Sequence, residues 1–219
     1  ARAYQDLGQI ELAQKWFLES SNYNLTFYGQ LANGYLDTKL KFDVNRHTEK
    51  VDLNNINSEM LKIYRTIYLL EELKEYKIMK KFIWSIARDD NTNERLRITK
   101  LAKNLNRDDF AVQAGKLVYY DTLLFTPESF PSVNRPEFGK IIFPPQPFIH
   151  SVIRQESQFD PKAGSYAGAK GLMQIMPYTG KKLSKGLNLK YTKSRLTSDP
   201  TYNVILGSAY LDQLLSIYD

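Results

Sequence analysis

Glu156 is the carboxylate best placed to do chemistry. Phe148, Ile149, Val152 and Ile153 recur at the spacing of an apolar helix face, and Glu156 follows on that side, three residues after Ile153 and four after Val152. A carboxyl at the end of such a face is expected to be partly desolvated, which disfavours its charged form and raises its pKa. A general acid that stays protonated near neutral pH needs that environment. An ordinary exposed helix-end Glu fits the same spacing, and the helix by itself favours that simpler reading.

The residues that follow shift the balance. Gly164, Gly168 and Gly171, interleaved with Ala163, Ala167 and Ala169, form a small-residue loop that lets backbone approach a ligand or another segment closely. Gln174 is bracketed by Leu172, Met173, Ile175 and Met176, and an amide in such an apolar run must find a partner or a substrate. Pro177 fits the first turn of a new helix. One acid, one amide and a glycine-lined wall suit recognition of an N-acetyl sugar.

Other chemistries are narrowed by composition. The chain of 219 residues has no cysteine, which removes disulfides, thiolate nucleophiles and Cys-based zinc sites. Its two histidines, His47 and His150, lie far apart, no carboxylates cluster suitably for a metal, and no cofactor is expected. The net charge of +6 comes from dispersed lysines and allows an anionic partner without naming one. No nucleic-acid motif occurs, so that partner is discounted. No apolar run is long enough to span a bilayer, and no signal peptide is visible.

The elements that must position Glu156 read as helices in pairs. Residues 1–18 form a hairpin broken at Gly8, with Trp16 and Phe17 on its second arm. Residues 25–32 open another helix, and the polar stretch 37–50 reads as a loop. Ser58 is offered as the N-cap of a helix carrying Tyr64, Ile67 and Tyr68, which a second helix with Tyr76, Met79, Phe82, Ile83 and Trp84 follows. Asp89–Asn91 is a turn, and residues 94–103 and 108–120 make a further hairpin with Asp108 as the second N-cap. The aromatics at helical spacing are read as core. Residues 126–147 hold six of the nine prolines, which deny helix and suggest an extended linker at a domain boundary. The expected organisation is an α-superhelical region over 1–125, a Pro-rich linker over 126–147 and a new domain from 148 to 219.

Three stretches carry a family resemblance: Glu156-Ser157, Gly171-Leu172-Met173-Gln174-Ile175-Met176-Pro177, and Asp199-Pro200-Thr201-Tyr202-Asn203 with Leu206-Gly207-Ser208-Ala209-Tyr210-Leu211. Together they resemble the soluble lytic murein transglycosylases. Residues 11–32 and 94–160 are similar in kind to the late superhelix hairpins and the linker approach of that family. The resemblance implies an all-α fold, in which an α-superhelical hairpin array precedes a partial lysozyme-like α domain. It implies cleavage of the bond between N-acetylmuramic acid and N-acetylglucosamine in peptidoglycan, with closure of a 1,6-anhydro ring by one acid/base, Glu156. Ser165, Gln174 and Met176 would line the glycan groove, while Ser157, Gly171, Tyr202 and Asn203 would support the motif. The partner would be peptidoglycan glycan strands, the compartment the bacterial periplasm and the state a monomer.

There is one departure. The family's Ala-Tyr-Asn-Ala-Gly-like motif does not occur before Asp219, and Ala1 already lies in a helical pattern. The expectation is a fragment open at both ends, in which residues 148–219 are the N-terminal half of a catalytic domain, with little or no lytic activity of its own and Glu156 more exposed than in the intact enzyme. The competing reading, from a different class, is a non-catalytic glycan- or protein-binding solenoid that carries a degenerate lysozyme-like remnant.

Overall fold

A computed structural model describes residues 1–38, 56–123, 125–134, 138 and 143–218. The helices in chain order are α1 (Arg2–Asp6), α2 (Ile10–Ser21), α3 (Phe27–Tyr35), α4 (Ser58–Glu72), α5 (Tyr76–Ala87), α6 (Thr92–Asn104) and α7 (Asp108–Thr122). A 3-10 turn at Pro127–Ser129 precedes α8 (Gln146–Glu156), α9 (Pro177–Gly186), α10 (Arg195–Ser198) and α11 (Pro200–Tyr218). Among the described residues the only β pairing is two isolated bridges, Gly164 with Lys170 and Lys170 with Ile175. The chain is thus all-α, as the helical spacing predicts. The polar loop expected over 37–50 lies, from residue 39 on, outside the described residues.

Helices α4 to α7 enclose the first core. Ile67, Met79, Ile83 and Ile98 are fully buried there, each contributing about 1.5–3 kcal/mol by leaving water. The second core gathers Ile149 and Ile153 of α8, Leu172, Met173 and Ile175 of the loop, and Tyr202, Val204 and Leu206 of α11. Helix α7 serves both. It turns Phe110, Ala111 and Ala114 to the first core and Val112 to the second. The hairpin array and the segment carrying Glu156 therefore share a wall.

Several local readings change. Asn57, not Ser58, caps α4, its side chain accepting from the Met60 N–H at 2.7 Å. Arg107 occupies the N-cap position of α7, and Asp108 is its first helical residue. Proline does not exclude helix from all of 126–147. Pro127 opens the 3-10 turn, and α8 begins at Gln146 with Pro147 in its first turn, where a missing N–H costs nothing. Of the aromatics read as core, Tyr64 is buried, whereas Trp16 and Tyr68 are exposed. Lys80 and Arg88 cover Trp84, with the lysine 4.4 Å from the ring centroid.

The most polar helix, α6, is among the most buried. Glu94, Arg95 and Arg97 are all inside. The Tyr64 hydroxyl donates to Glu94 at 2.5 Å, and Arg97 pairs with the same carboxylate. Burial first, and then that carboxylate, push the Tyr64 phenol well above its ordinary range. Arg95 reaches Asp121 at 2.9 Å and donates to the Asp89 carbonyl. Buried charges persist because each is paired and hydrogen-bonded.

Candidate active site

Helix α8 aims Glu156. Ile149 and Ile153, one turn apart, are buried and fix the helix against the second core. Glu156 is its last residue, and there the neighbours run out, leaving the side chain exposed. The partial desolvation expected at the end of an apolar face is therefore not provided by the described residues. Ser157 is buried beneath it, its hydroxyl donating to the Ile153 carbonyl at 3.2 Å. Gln158 and Phe159 both adopt left-handed backbone conformations, with φ of 53° and 65°, which is uncommon for residues with side chains. This reversal buries Phe159 and returns the chain toward the small-residue loop.

Residues 163–176 are tightly tied to themselves. The Gly171 N–H donates to Ala163 O at 2.8 Å, Ser165 N–H to Ala169 O at 3.0 Å, and Lys170 and Ile175 exchange two backbone bonds. Gly171 has φ of 76°, and a Cβ there would overlap the Leu196 carbonyl and the Asn203 amide. Only glycine fits both the conformation and the space. Gly207 of α11 plays a similar part against Met173, whose sulfur and Cβ occupy the space a side chain would need.

Asn203 joins the loop to α10 and α11. It is fully buried, and all of its short reach is used. Its amide donates to Lys170 O and Leu196 O, both at 2.9 Å, and its carbonyl accepts from the Met173 N–H at 2.8 Å. Beside it, the buried Tyr202 and Ser184 hydroxyls lie 2.6 Å apart, and Ser184 also donates to Gly180 O of α9. The Asp199 carboxylate caps α11 by accepting from Tyr202 N–H at 3.0 Å, and it pairs with Arg195 at 2.9 Å. Those contacts, the backbone one foremost, hold the Asp199 carboxyl below its ordinary pKa. The Arg195 guanidinium lies 4.0 Å over the Tyr202 ring.

The residues singled out in the sequence thus fall into two groups. Ser157, Gly171, Tyr202 and Asn203 are buried and hold the loop and helices in place. Glu156, Ser165 and Met176 are exposed, and Gln174 is half-buried. The Ser165 oxygen accepts from Ala169 N–H at 3.0 Å, and the Gln174 amide, on a residue with φ of 48°, donates to Gly171 O at 2.9 Å. Among the described residues none of them hydrogen-bonds to Glu156.

Sequence reasoning missed the roles of Ser184 and His150. Ser184 sits on a helix face with no sign of its distant partner Tyr202. His150 approaches the backbone of Val133, with its Nε2 3.1 Å from the carbonyl and 3.2 Å from the amide nitrogen. Asp160 holds a turn by accepting from Lys162 N–H at 2.8 Å. Burial raises its pKa.

Residues 144–219 match the sequence model of the Transglycosylase SLT domain. The chain is 28% identical over 166 residues to a putative soluble lytic murein transglycosylase of Haemophilus influenzae, a match covering 74% of this chain and 28% of that protein. It is 34% identical over 136 residues to the soluble lytic murein transglycosylase of Escherichia coli K12, covering 58% of this chain and 20% of that protein. The chain therefore spans less than a third of the length of these curated relatives. The crystal structure of the 70 kDa soluble lytic transglycosylase from Escherichia coli superposes with a TM-score of 0.68 at 20% identity, covering 98% of this chain and 34% of that one. The shared fold places a lysozyme-like α segment after a superhelical array. Residues 144–219 thus resemble the transglycosylase SLT domain in sequence, and the chain shares the all-α fold of a soluble lytic transglycosylase.

Proposed function

We propose that Glu156 is the single acid/base of a lytic transglycosylase acting on peptidoglycan, in the periplasm. The observation that carries this reading is the contrast among carboxylates. Residues 144–218 contain four: Glu156, Asp160, Asp199 and Asp212. Asp160 closes a turn, Asp199 caps a helix and pairs with Arg195, and Asp212 lies far along α11. Glu156 alone is exposed at a helix end, next in the chain to a loop whose backbone is fixed from beneath. The paired-carboxylate arrangement of most glycosidases has no second member here.

In this mechanism the Glu156 carboxylic acid gives its proton to the glycosidic oxygen. The bond from the muramoyl C1 to that oxygen breaks, and the N-acetylglucosamine hydroxyl leaves. The resulting carboxylate then takes the proton of the muramoyl C6 hydroxyl as its oxygen bonds to C1. The 1,6-anhydro ring closes with no water consumed, and Glu156 returns to its acid form. Ser165, Gln174 and Met176 line the groove that orients the sugar. The non-catalytic solenoid remains the competitor, and one experiment separates them. The natural full-length gene product is incubated with purified sacculi, and released muropeptides are weighed by mass spectrometry. 1,6-Anhydro products are expected, and Glu156→Gln should release them at least about 100-fold more slowly. Equal release by both proteins removes Glu156 from the chemistry, and binding without release favours the solenoid.

A further inference from the structure

The cations are spread along the whole chain, but the acids are not. Residues 161–198 contain seven lysines and one arginine and no Asp or Glu. That stretch carries +8 and the whole chain +6, so the remainder is slightly acidic. The positive charge of the molecule is therefore concentrated in the segment that follows Glu156.

Helix α9 arranges part of it on one face. Tyr178, Lys181, Lys182 and Lys185 recur at i, i+3, i+4 and i+7, which places them within about 100° around the helix and about 10 Å along it. All four are exposed, Tyr178 at 81%. The opposite face is fixed inside. A Cβ at Gly180 would touch Ile175, Leu196 and Tyr191 at 3.4 Å, Leu183 is buried, and the Ser184 hydroxyl lies 2.6 Å from that of Tyr202. Those contacts set the rotation of α9, so the lysine stripe cannot turn inward. Lys190 and Lys193, just beyond the helix, are exposed as well.

The needs of the helix explain little of this pattern. The macrodipole accounts for Lys185 in the last turn, but the first turn, where an acid would be favoured, has none. Lys181 and Lys185, four residues apart, repel each other. Among the described residues Lys181, Lys182 and Lys185 make no side-chain hydrogen bond or ion pair, whereas Arg195 is already paired with Asp199. An opposing anionic surface would remove the repulsion.

The character of the face selects the partner. It is convex and presents ammonium groups on flexible four-carbon stems, point charges without the fork that reads a shaped anion. Tyr178 sets an exposed amphipathic ring at one end of the stripe, and such rings rest at the headgroup level of a bilayer. Among the described residues no helix is long and apolar enough to cross a membrane, so attachment through this face is peripheral. We propose that the outer face of α9 docks the chain on an anionic phospholipid bilayer, with Lys181, Lys182 and Lys185 over the headgroup phosphates and Tyr178 at their level. This docking needs no role for Glu156 and stands or falls apart from the reaction.

Vesicle binding tests it. The 219-residue chain is sedimented with vesicles of phosphatidylcholine alone and of equal parts phosphatidylcholine and phosphatidylglycerol. Binding is expected to the anionic vesicles only, and it should weaken as added salt shortens the screening length. Each lysine close to such a surface strengthens binding about fivefold, so Lys181→Gln, Lys182→Gln and Lys185→Gln together should weaken it on the order of 100-fold. Tyr178→Ser should weaken it by a smaller factor. Removing the same number of charges at the exposed Lys62, Lys77 and Lys81 of α4 and α5 should cost far less. Unchanged melting shows that both triple variants fold. No preference for anionic vesicles, or an equal loss in the two triple variants, overturns the proposal. So does vesicle binding that survives in the α9 triple while its binding to purified sacculi is lost, which assigns the face to the glycan polymer.

Discussion

Asn203 and Glu156 are both polar side chains within the SLT segment, and the fold treats them in opposite ways. Asn203 is sealed inside with three hydrogen bonds, two to the loop backbone at Lys170 and Met173 and one to Leu196 of α10. Glu156 stands exposed with no partner among the described residues. Buried polar networks specify one arrangement because a half-satisfied network is costly. An unpartnered surface acid specifies nothing and stays available. The segment thus separates holding from reacting, keeping one set of side chains for each.

That contrast can be broken most severely at Asn203. Asn203→Leu removes an acceptor and two donors at once, leaving the Met173 N–H and the Leu196 carbonyl unpaired and the Lys170 carbonyl with only its bond from Ile175. The expected loss is roughly 3 kcal/mol, on the order of 10 °C in Tm, read by calorimetry at neutral pH. A shift below about 2 °C means that the loop is held by its own backbone bonds and that Asn203 merely fills space.

A smaller effect belongs to Asp199, which anchors the same helix from its exposed end. Asp199→Ala removes the acceptor for the Tyr202 N–H and should cost about 1 kcal/mol at neutral pH. Its charge contributes little more, since both it and Arg195 are about a third exposed, at 34% and 39%. The folded pKa of Asp199 is depressed. Its charged-form contribution is therefore complete above the unfolded value, near 4, and is lost as pH falls through the lower folded value. The gap between wild type and Asp199→Ala should narrow in acid, while Asp199→Asn, which keeps the acceptor, should stay close to wild type throughout. A gap that widens as pH falls contradicts this assignment.

The sequence made some of this architecture legible and concealed the rest for physical reasons. The α8 stripe and Pro177 at the start of α9 were readable because helical period and first-turn chemistry are local. Gly171 was visible as one of several glycines, but the carbonyl and amide that exclude any other residue come from Leu196 and Asn203. The cap Asn57 was missed because neighbouring Ser58 offered equally good local chemistry. Nothing local marks the charges of helix α6 as interior, because Tyr64 and Asp121, which make them tolerable inside, are distant in sequence. Sequence spacing speaks for contacts within an element. The polar contacts that determine this segment run between elements.

The smallest expected effect is the sharpest test of the contrast. If Glu156 is kept for reaction, its charge is irrelevant to folding. Glu156→Gln preserves the shape and volume of the side chain, and no hydrogen bond or ion pair among the described residues depends on the carboxylate. An exposed substitution of this kind should change stability by less than about 0.5 kcal/mol, seen as coincident denaturation curves at neutral pH. A loss above about 1 kcal/mol identifies Glu156 as a structural acid with a partner that forms only in solution, and the distinction from Asn203 collapses. Coincident curves together with lost anhydro-muropeptide release place the effect in the chemistry alone, since a protein that folds equally well but cannot move the proton has lost nothing else.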